Sequence, residues 1–396
     1  MRISRISRLR KKNNWFRLSD SFAVFSLLRR FEQYLKHILR SFLRILLHSS
    51  RSPHLDPGSI RRILVVRQHN QLGDMLCVVP LLRSLRSRFP NCQIGLIASP
   101  VNVDVMANNA YVDRVINFDK REFLGKHSLK LQRLIAFIRQ LRDSGFDLVI
   151  VPSTVSTSFT SDLLAFLSGA RYRIGAGGID GLENPSSFFF NIPVHLDWRS
   201  APHRHQTLRN LDIAKSLSLE TNVLSSEITL TRQERERAKA VAGRTKGERS
   251  IIVALHPGAG KTPNRWPADR FAAVANRLHQ SVNAAVLITV GPMDGEPVAA
   301  LKTGINGPCD LIDNKPIREV AAILSHVDLV ISNDTGIMHV AGAVGTPVLS
   351  LFGPTDPEQW APKGPQHRFI RGKEGRIDEI SVEEVFKNAQ EMLMVR

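Results

Sequence analysis

Short apolar runs, each closed by a polar, glycine-bearing turn and followed by an amphipathic stretch, recur along the chain. The first is Arg62-Ile63-Leu64-Val65-Val66-Arg67, which suits a strand buried on both faces. It runs into the polar turn 68–74, and a helix is expected from Met75 to Phe89, with Pro80 in its first turns, where proline is least costly. Strands over Gln93–Ala98, Arg114–Phe118 and Asp147–Val151 and a helix over Leu129–Arg142 continue the alternation. A charged, polar stretch over 220–248 reads as a linker and an exposed helix. The alternation then restarts: strand Ser250–Leu255, helix Ala268–His279, strand Ala284–Val290, strand 328–332 and strand Pro347–Phe352. Repeated strand–helix units predict an α/β chain with two doubly wound parallel sheets, whose ligands sit at the carboxyl ends of the strands.

Those strand ends carry the candidate chemistry. Asp74 closes the first turn, where a carboxylate serves as a general base or as a helix cap; the local sequence favours the cap. The loop 256–267, His256-Pro257-Gly258-Ala259-Gly260-Lys261-Thr262-Pro263-Asn264-Arg265-Trp266-Pro267, combines glycines with two cations and suits an anion. It lacks Walker A spacing. In Asn333-Asp334-Thr335-Gly336, a strand ends where a helix opens; Asp334 or Thr335 is placed to cap it, and its free N–H groups suit a phosphate. Two such loops in one half of the chain suggest a nucleoside-diphosphate site. His339 fits a ligand role or a satisfied, half-buried histidine equally well. Asp294-Gly295-Glu296 superficially resembles a metal-binding D-x-D pair, but no metal is expected.

Charge changes the picture only at one end. Residues 1–62 hold 15 Lys and Arg against 3 Asp and Glu, a surplus of 12 out of the chain's +18. The basicity therefore belongs to the N-terminal extension and does not mark a nucleic-acid binder. Over 21–47, Phe22, Phe25, Leu28, Phe31, Leu35, Ile38, Phe42 and Ile45 recur at helical spacing, with Arg29, Arg30, Lys36, Arg40 and Arg44 between them. So many charges disfavour a transmembrane span, and no signal-peptide core or cleavage site is visible. An interfacial amphipathic helix on an anionic membrane fits best; a helix packed on the protein's own body is the competing reading. The three cysteines, Cys77, Cys92 and Cys309, form no C-x-x-C pair and point to a reducing compartment.

Leu72-Gly73-Asp74-Met75-Leu76 with Pro80, then His256-Pro257-Gly258 with Arg265-Trp266-Pro267, then Asn333-Asp334-Thr335-Gly336 with Met338-His339 and Phe352-Gly353-Pro354-Thr355, occur in the order and at the separation of glycosyltransferase family 9. The chain resembles those ADP-heptose:lipopolysaccharide heptosyltransferases over roughly 62–395. The resemblance implies a GT-B architecture, two Rossmann-like domains facing a cleft, with the acceptor on the N-terminal side and the donor on the C-terminal side. The expected division is a basic extension 1–60, an acceptor domain 61–220, a linker and helix 221–248, a donor domain 249–378 and a C-terminal helix 379–396.

The resemblance makes Asp74 the general base, against the local preference for a cap, with Gln71 and Gly73 on the acceptor side. It puts His256, Gly258, Lys261, Arg265, Asp334, Thr335, Gly336 and His339 on the donor, and Glu296, by a looser match, on the donor ribose. Many members carry Lys-x-Trp-Pro where this chain has Asn264-Arg265-Trp266-Pro267, so Lys261 or Arg265 is expected to replace the missing lysine. The implied reaction is an inverting transfer from an ADP-sugar to a lipid-linked core oligosaccharide, without metal or other cofactor, by a cytoplasmic protein held at the inner face of the membrane through its N-terminal helix. The alternatives are a relative transferring another sugar and a non-catalytic module binding nucleotide sugars or polyanions.

Overall fold

The computed structural model describes residues 53–123, 130–249 and 251–394. The helix expected over 21–47 lies outside them. The first half contains β1 (Arg62–Arg67), α1 (Leu72–Leu76), α2 (Val79–Arg88), β2 (Gln93–Ala98), α3 (Pro100–Met106), β3 (Arg114–Asn117), α4 (Lys120–Phe123), α5 (Leu131–Asp143), β4 (Leu148–Ile150), α6 (Phe159–Leu167), β5 (Tyr172–Ile179), β6 (Leu182–Glu183), β7 (Ile192–Leu196) and α7 (Gln206–Ile213). The second contains α8 (Arg232–Lys246), β8 (Ile251–His256), α9 (Ala268–Val282), β9 (Ala284–Val290), α10 (Gly295–Gly304), β10 (Cys309–Asp313), α11 (Ile317–Leu324), β11 (Leu329–Asn333), α12 (Gly336–Ala343), β12 (Val348–Phe352), α13 (Pro357–Trp360), β13 (Arg368–Arg371) and α14 (Val382–Met394).

The first sheet runs β3-β2-β1-β4-β5-β6, with β7 parallel to β5 and β6 antiparallel to it; the second runs β10-β9-β8-β11-β12-β13, all parallel. The apolar run of β1 explains its central place. Ile63 and Val65 enter one hydrophobic cluster and Leu64 and Val66 another, so the strand is covered on both faces. Burying each such side chain contributes about 1.5–3 kcal/mol. β8 repeats the arrangement, with Val253 and Leu255 in one cluster and Ile252 and Ala254 in another.

One expectation needs correction. The single helix expected from Met75 is two, because Pro80 has no N–H and its ring would meet the carbonyl of Leu76. The chain breaks at Cys77–Val78, and Pro80 enters the first turn of α2. The stretch expected as linker and exposed helix does hold a helix, α8, with most of its residues exposed. α8 opens with a capping box of Thr231 and Glu234 and buries Ala238, Ala242 and Thr245. Arg318 of α11 holds Glu234 at 2.6 Å and donates to the carbonyls of Asp104 and Ala107, tying the second sheet's helices to α3. The cluster containing Met75 and Leu76 also takes in Val330, Met338 and Val340, so α1 and α12 share one core. Among the described residues, no helix is long and apolar enough to cross a membrane.

Candidate active site

The turn after β1 is fixed from several sides. Asn102 Nδ2 donates to the carbonyl of His69 at 2.6 Å, and Ser99 Oγ donates to the same oxygen at 3.1 Å. Gln68 Nε2 reaches the hydroxyls of Ser158 and Ser161 at 3.2 Å each. Gln71 is the N-cap residue of α1 but makes no side-chain cap bond. Asp74, one turn further in, does not cap the helix: its Oδ1 lies 2.9 Å from Nη2 of Arg67, the last residue of β1. An open cavity of about 440 Å³ lies beside this turn, lined by Gln68, His69, Gln71, Val101, Phe118 and Lys120 among others. Burial, with the Arg67 charge beside it, pushes the His69 imidazole down to about 4.

The two halves meet at two glycines. A Cβ on Gly73 would lie 2.5 Å from the ring of His339, and one on Gly336 would lie 3.0 Å from a methyl of Leu72. Without side chains at those positions, α1 rests on the first turn of α12, and the Asp74 charge reaches His339. His339 is thus buried against Gly73, with Trp360 edge-on at 6.3 Å. Burial holds its imidazole down at about 4, and only Asp74 pulls the other way.

On the second sheet, Asn333 at the end of β11 pins both ends of the 257–266 loop. Its Nδ2 donates to the carbonyls of Pro257 (2.9 Å) and Gly258 (3.2 Å), and its Oδ1 accepts from the Trp266 N–H (3.1 Å). Trp266 is itself buried, with Nε1 donating to the Ile380 carbonyl. His256 bonds Thr289 Oγ1 at 2.9 Å through Nδ1, and its Nε2 lies 3.8 Å from Asp294. Burial lowers its pKa against the pull of that carboxylate. Asp294 packs into the space a side chain on Gly258 would need and accepts from the Gly291 N–H at 2.8 Å. Asp294 is buried and Glu296 is 87% exposed, so the D-x-D look-alike points two ways. Among the described residues, no group of three or more His, Cys, Asp or Glu is placed to hold a metal ion.

The position where many family members carry lysine is filled by Asn264, which donates to Asp334 Oδ2 at 3.3 Å. Arg265 is turned away: its Nε donates to the Ala259 carbonyl and its Nη1 lies 3.8 Å from Glu296. Lys261 is the cation whose field reaches Asp334. Thr335 is the N-cap residue of α12, yet neither it nor Asp334 makes a side-chain cap bond, which leaves the first-turn N–H groups open. Sequence reasoning missed Arg67, Asn333 and Asp294. The signal for Arg67 was available: a cation closing a fully buried apolar run needs a buried partner.

Two pH effects follow. Burial raises the Asp334 pKa, opposed by Thr355 and Lys261, so the folded state favours the neutral acid. Its contribution to stability is present below the ordinary carboxylate value and lost as pH rises through the raised one. Without donor, Asp334→Asn is expected to melt above wild type at pH 7, the two converging below about pH 4; a mutant melting lower throughout would contradict this. The histidines act in the opposite sense. His69, His339 and His367 are pushed down to about 4 and His205 to about 3, each chiefly by burial. Stability from neutral imidazoles is present above about 6.5 and lost as pH falls through the lowered values. Thermal melts should therefore drop steeply from about pH 6.5 to 4, and a flat profile would contradict that burial.

A family model described as glycosyltransferase family 9 (heptosyltransferase) matches residues 134–390, well over half of the chain. Lipopolysaccharide heptosyltransferase 3 of Escherichia coli is 25% identical over 300 residues, covering 73% of this chain and 83% of the relative. Lipooligosaccharide heptosyltransferase 2 of Haemophilus influenzae is 26% identical over 322 residues, covering 78% and 88%. A family 9 glycosyltransferase from Veillonella parvula superposes with a TM-score of 0.74 at 22% identity, over 88% of this chain and 100% of that one. The Escherichia coli heptosyltransferase WaaC with ADP-2-deoxy-2-fluoro heptose gives 0.65 at 20% identity, over 83% and 99%. These two likenesses concern the fold, which is the GT-B pairing of parallel sheets. From the family match and the two facing domains, the chain belongs to glycosyltransferase family 9, the heptosyltransferases, and is a glycosyltransferase.

Proposed function

We propose that the chain transfers a heptose from ADP-heptose to a lipid-linked lipopolysaccharide core acceptor, by a single inverting displacement that needs no metal. The observation that carries this reading is the contact of α1 with α12 through Gly73 and Gly336, which seats the helix bearing Asp74 against a helix whose start is uncapped. An acceptor hydroxyl entering from the side of Gln71, Gly73 and the neighbouring cavity gives its proton to Asp74. The departing diphosphate gains charge at the N–H groups of Thr335 and Gly336, with Lys261 adding a cation. Asp334 frames that turn through Asn264. His256 and Gly258 set the inner end of the donor loop, and His339 holds the seam behind it. Arg265 and Glu296, at the loop's outer rim, are assigned to the donor ribose.

That WaaC is seen with an ADP-heptose analogue supports this donor. The basic, amphipathic segment before residue 60 supports an acceptor held at an anionic membrane, on its cytoplasmic side.

The test is acceptor-dependent donor consumption by the purified full chain in excess EDTA, with ADP-heptose compared against a panel of nucleotide sugars. Consumption of ADP-heptose supports the reading. Preference for another sugar nucleotide replaces the donor, and turnover only after divalent metal is restored removes the metal-free mechanism.

A further inference from the structure

The candidate base sits against one buried cation. Asp74 Oδ1 lies 2.9 Å from Nη2 of Arg67. Arg67 is 5% exposed, Nη1 donates to the Pro152 carbonyl at 2.7 Å, and Nε is buried without a partner. The guanidinium is therefore anchored at the end of β4 and aimed at Asp74. Its position follows four buried apolar residues, Ile63 to Val66, where an apolar side chain would have continued the pattern without desolvating a charge. So buried a cation is poorly placed to meet substrate itself.

We propose that Arg67 is a positioning residue that clamps the Asp74 carboxylate at Oδ1 and so fixes the direction in which it meets the acceptor hydroxyl. This rests on the reading of Asp74 as base. A carboxylate that turns about its Cβ–Cγ bond offers both oxygens in many directions, whereas proton transfer needs one of them within hydrogen-bond reach of the acceptor hydroxyl. The clamp fixes that direction before the acceptor arrives.

A double-mutant cycle tests it: wild type, Arg67→Met, Arg67→Lys, Asp74→Asn and the Arg67→Met/Asp74→Asn pair, each with kcat, donor KM and a melting curve. Arg67→Met is expected to lower kcat by about 10- to 100-fold, the scale of a misplaced catalytic group, with donor KM unchanged. Arg67→Lys recovers part of the rate. The double mutant is no slower than Asp74→Asn alone, since Arg67 acts only through that carboxylate. A double mutant slower by the product of the two single effects, or an Arg67→Met enzyme altered in donor KM but not kcat, overturns the proposal. If Arg67→Met does not fold, Arg67→Lys alone and combined with Asp74→Asn carries the same comparison. The failures separate: a fast Asp74→Asn enzyme removes the base reading, while a slow Asp74→Asn beside a fast Arg67→Met removes only the clamp.

Discussion

Asp74→Asn is expected to lower kcat by about 10²- to 10⁴-fold, the range of a general base, while the donor binds as in wild type. Asparagine keeps the size of the side chain but has no carboxylate to take the proton of the acceptor hydroxyl. Binding should survive because Asp74 belongs to α1, whereas the donor groups proposed here lie on β8 and the loop after it, on α10, and on α12 and the turn before it. The change leaves the Arg67 guanidinium, its side chain 6% exposed, opposite a neutral amide, so the melting temperature is expected to fall and the comparison is made below it. Calorimetric titration with ADP-heptose and turnover under saturating substrates make the comparison. A mutant that turns over at wild-type speed removes Asp74 from the chemistry, whatever the fate of the donor site.

Gly258→Ala is expected to weaken donor binding by 10-fold or more. The new methyl would fall 2.0–2.4 Å from the carboxyl atoms of Asp294, inside any tolerable contact. Asp294 has little room to yield: it is buried, accepts from the Gly291 N–H at 2.8 Å and sits 3.8 Å from His256. The loop must move instead, away from the carbonyl contacts that Asn333 makes to Pro257 and Gly258. Such overpacking costs about 1–3 kcal/mol, and each ~1.4 kcal/mol lost from binding is tenfold in Kd. Gly260→Ala is the internal control, since nothing lies within 4 Å of its would-be methyl. Titration of ADP-heptose into both variants should show loss at 258 and near-normal binding at 260. Equal affinities would mean the loop does not touch donor.

These predictions use contacts of two kinds, and only one kind was legible in the sequence. The buried runs Ile63–Val66 and Leu329–Ile331, and the polar turns that end them, announced two parallel sheets and the loops at their carboxyl ends. Local pattern also marked Asp74, Lys261 and the 334–336 turn. It did not show why Gly73 and Gly336 are glycine. Both glycines matter because two helices distant in sequence approach there. Periodicity carries no record of such a contact. Asp294 drew notice only through a superficial D-x-D likeness with Glu296 that was set aside, whereas its partners, Gly258 and His256, lie on and just after β8. Arg67 read as the end of a strand, because its ion pair with Asp74 forms only once the turn folds back. The local preference for Asp74 as a cap failed because Gln71 holds the N-cap position and Asp74 lies inside α1, with its carboxylate against Arg67.

The proposed transfer uses one carboxylate and one displacement. The anomeric configuration of the transferred sugar, read by proton NMR of the product against that of the donor, tests it most directly. A single product of opposite configuration is the result expected when Asp74 deprotonates the acceptor and the diphosphate leaves from the opposite face. Retention would require a second displacement or a different attacking group, and would contradict the assignment of Asp74 as the base.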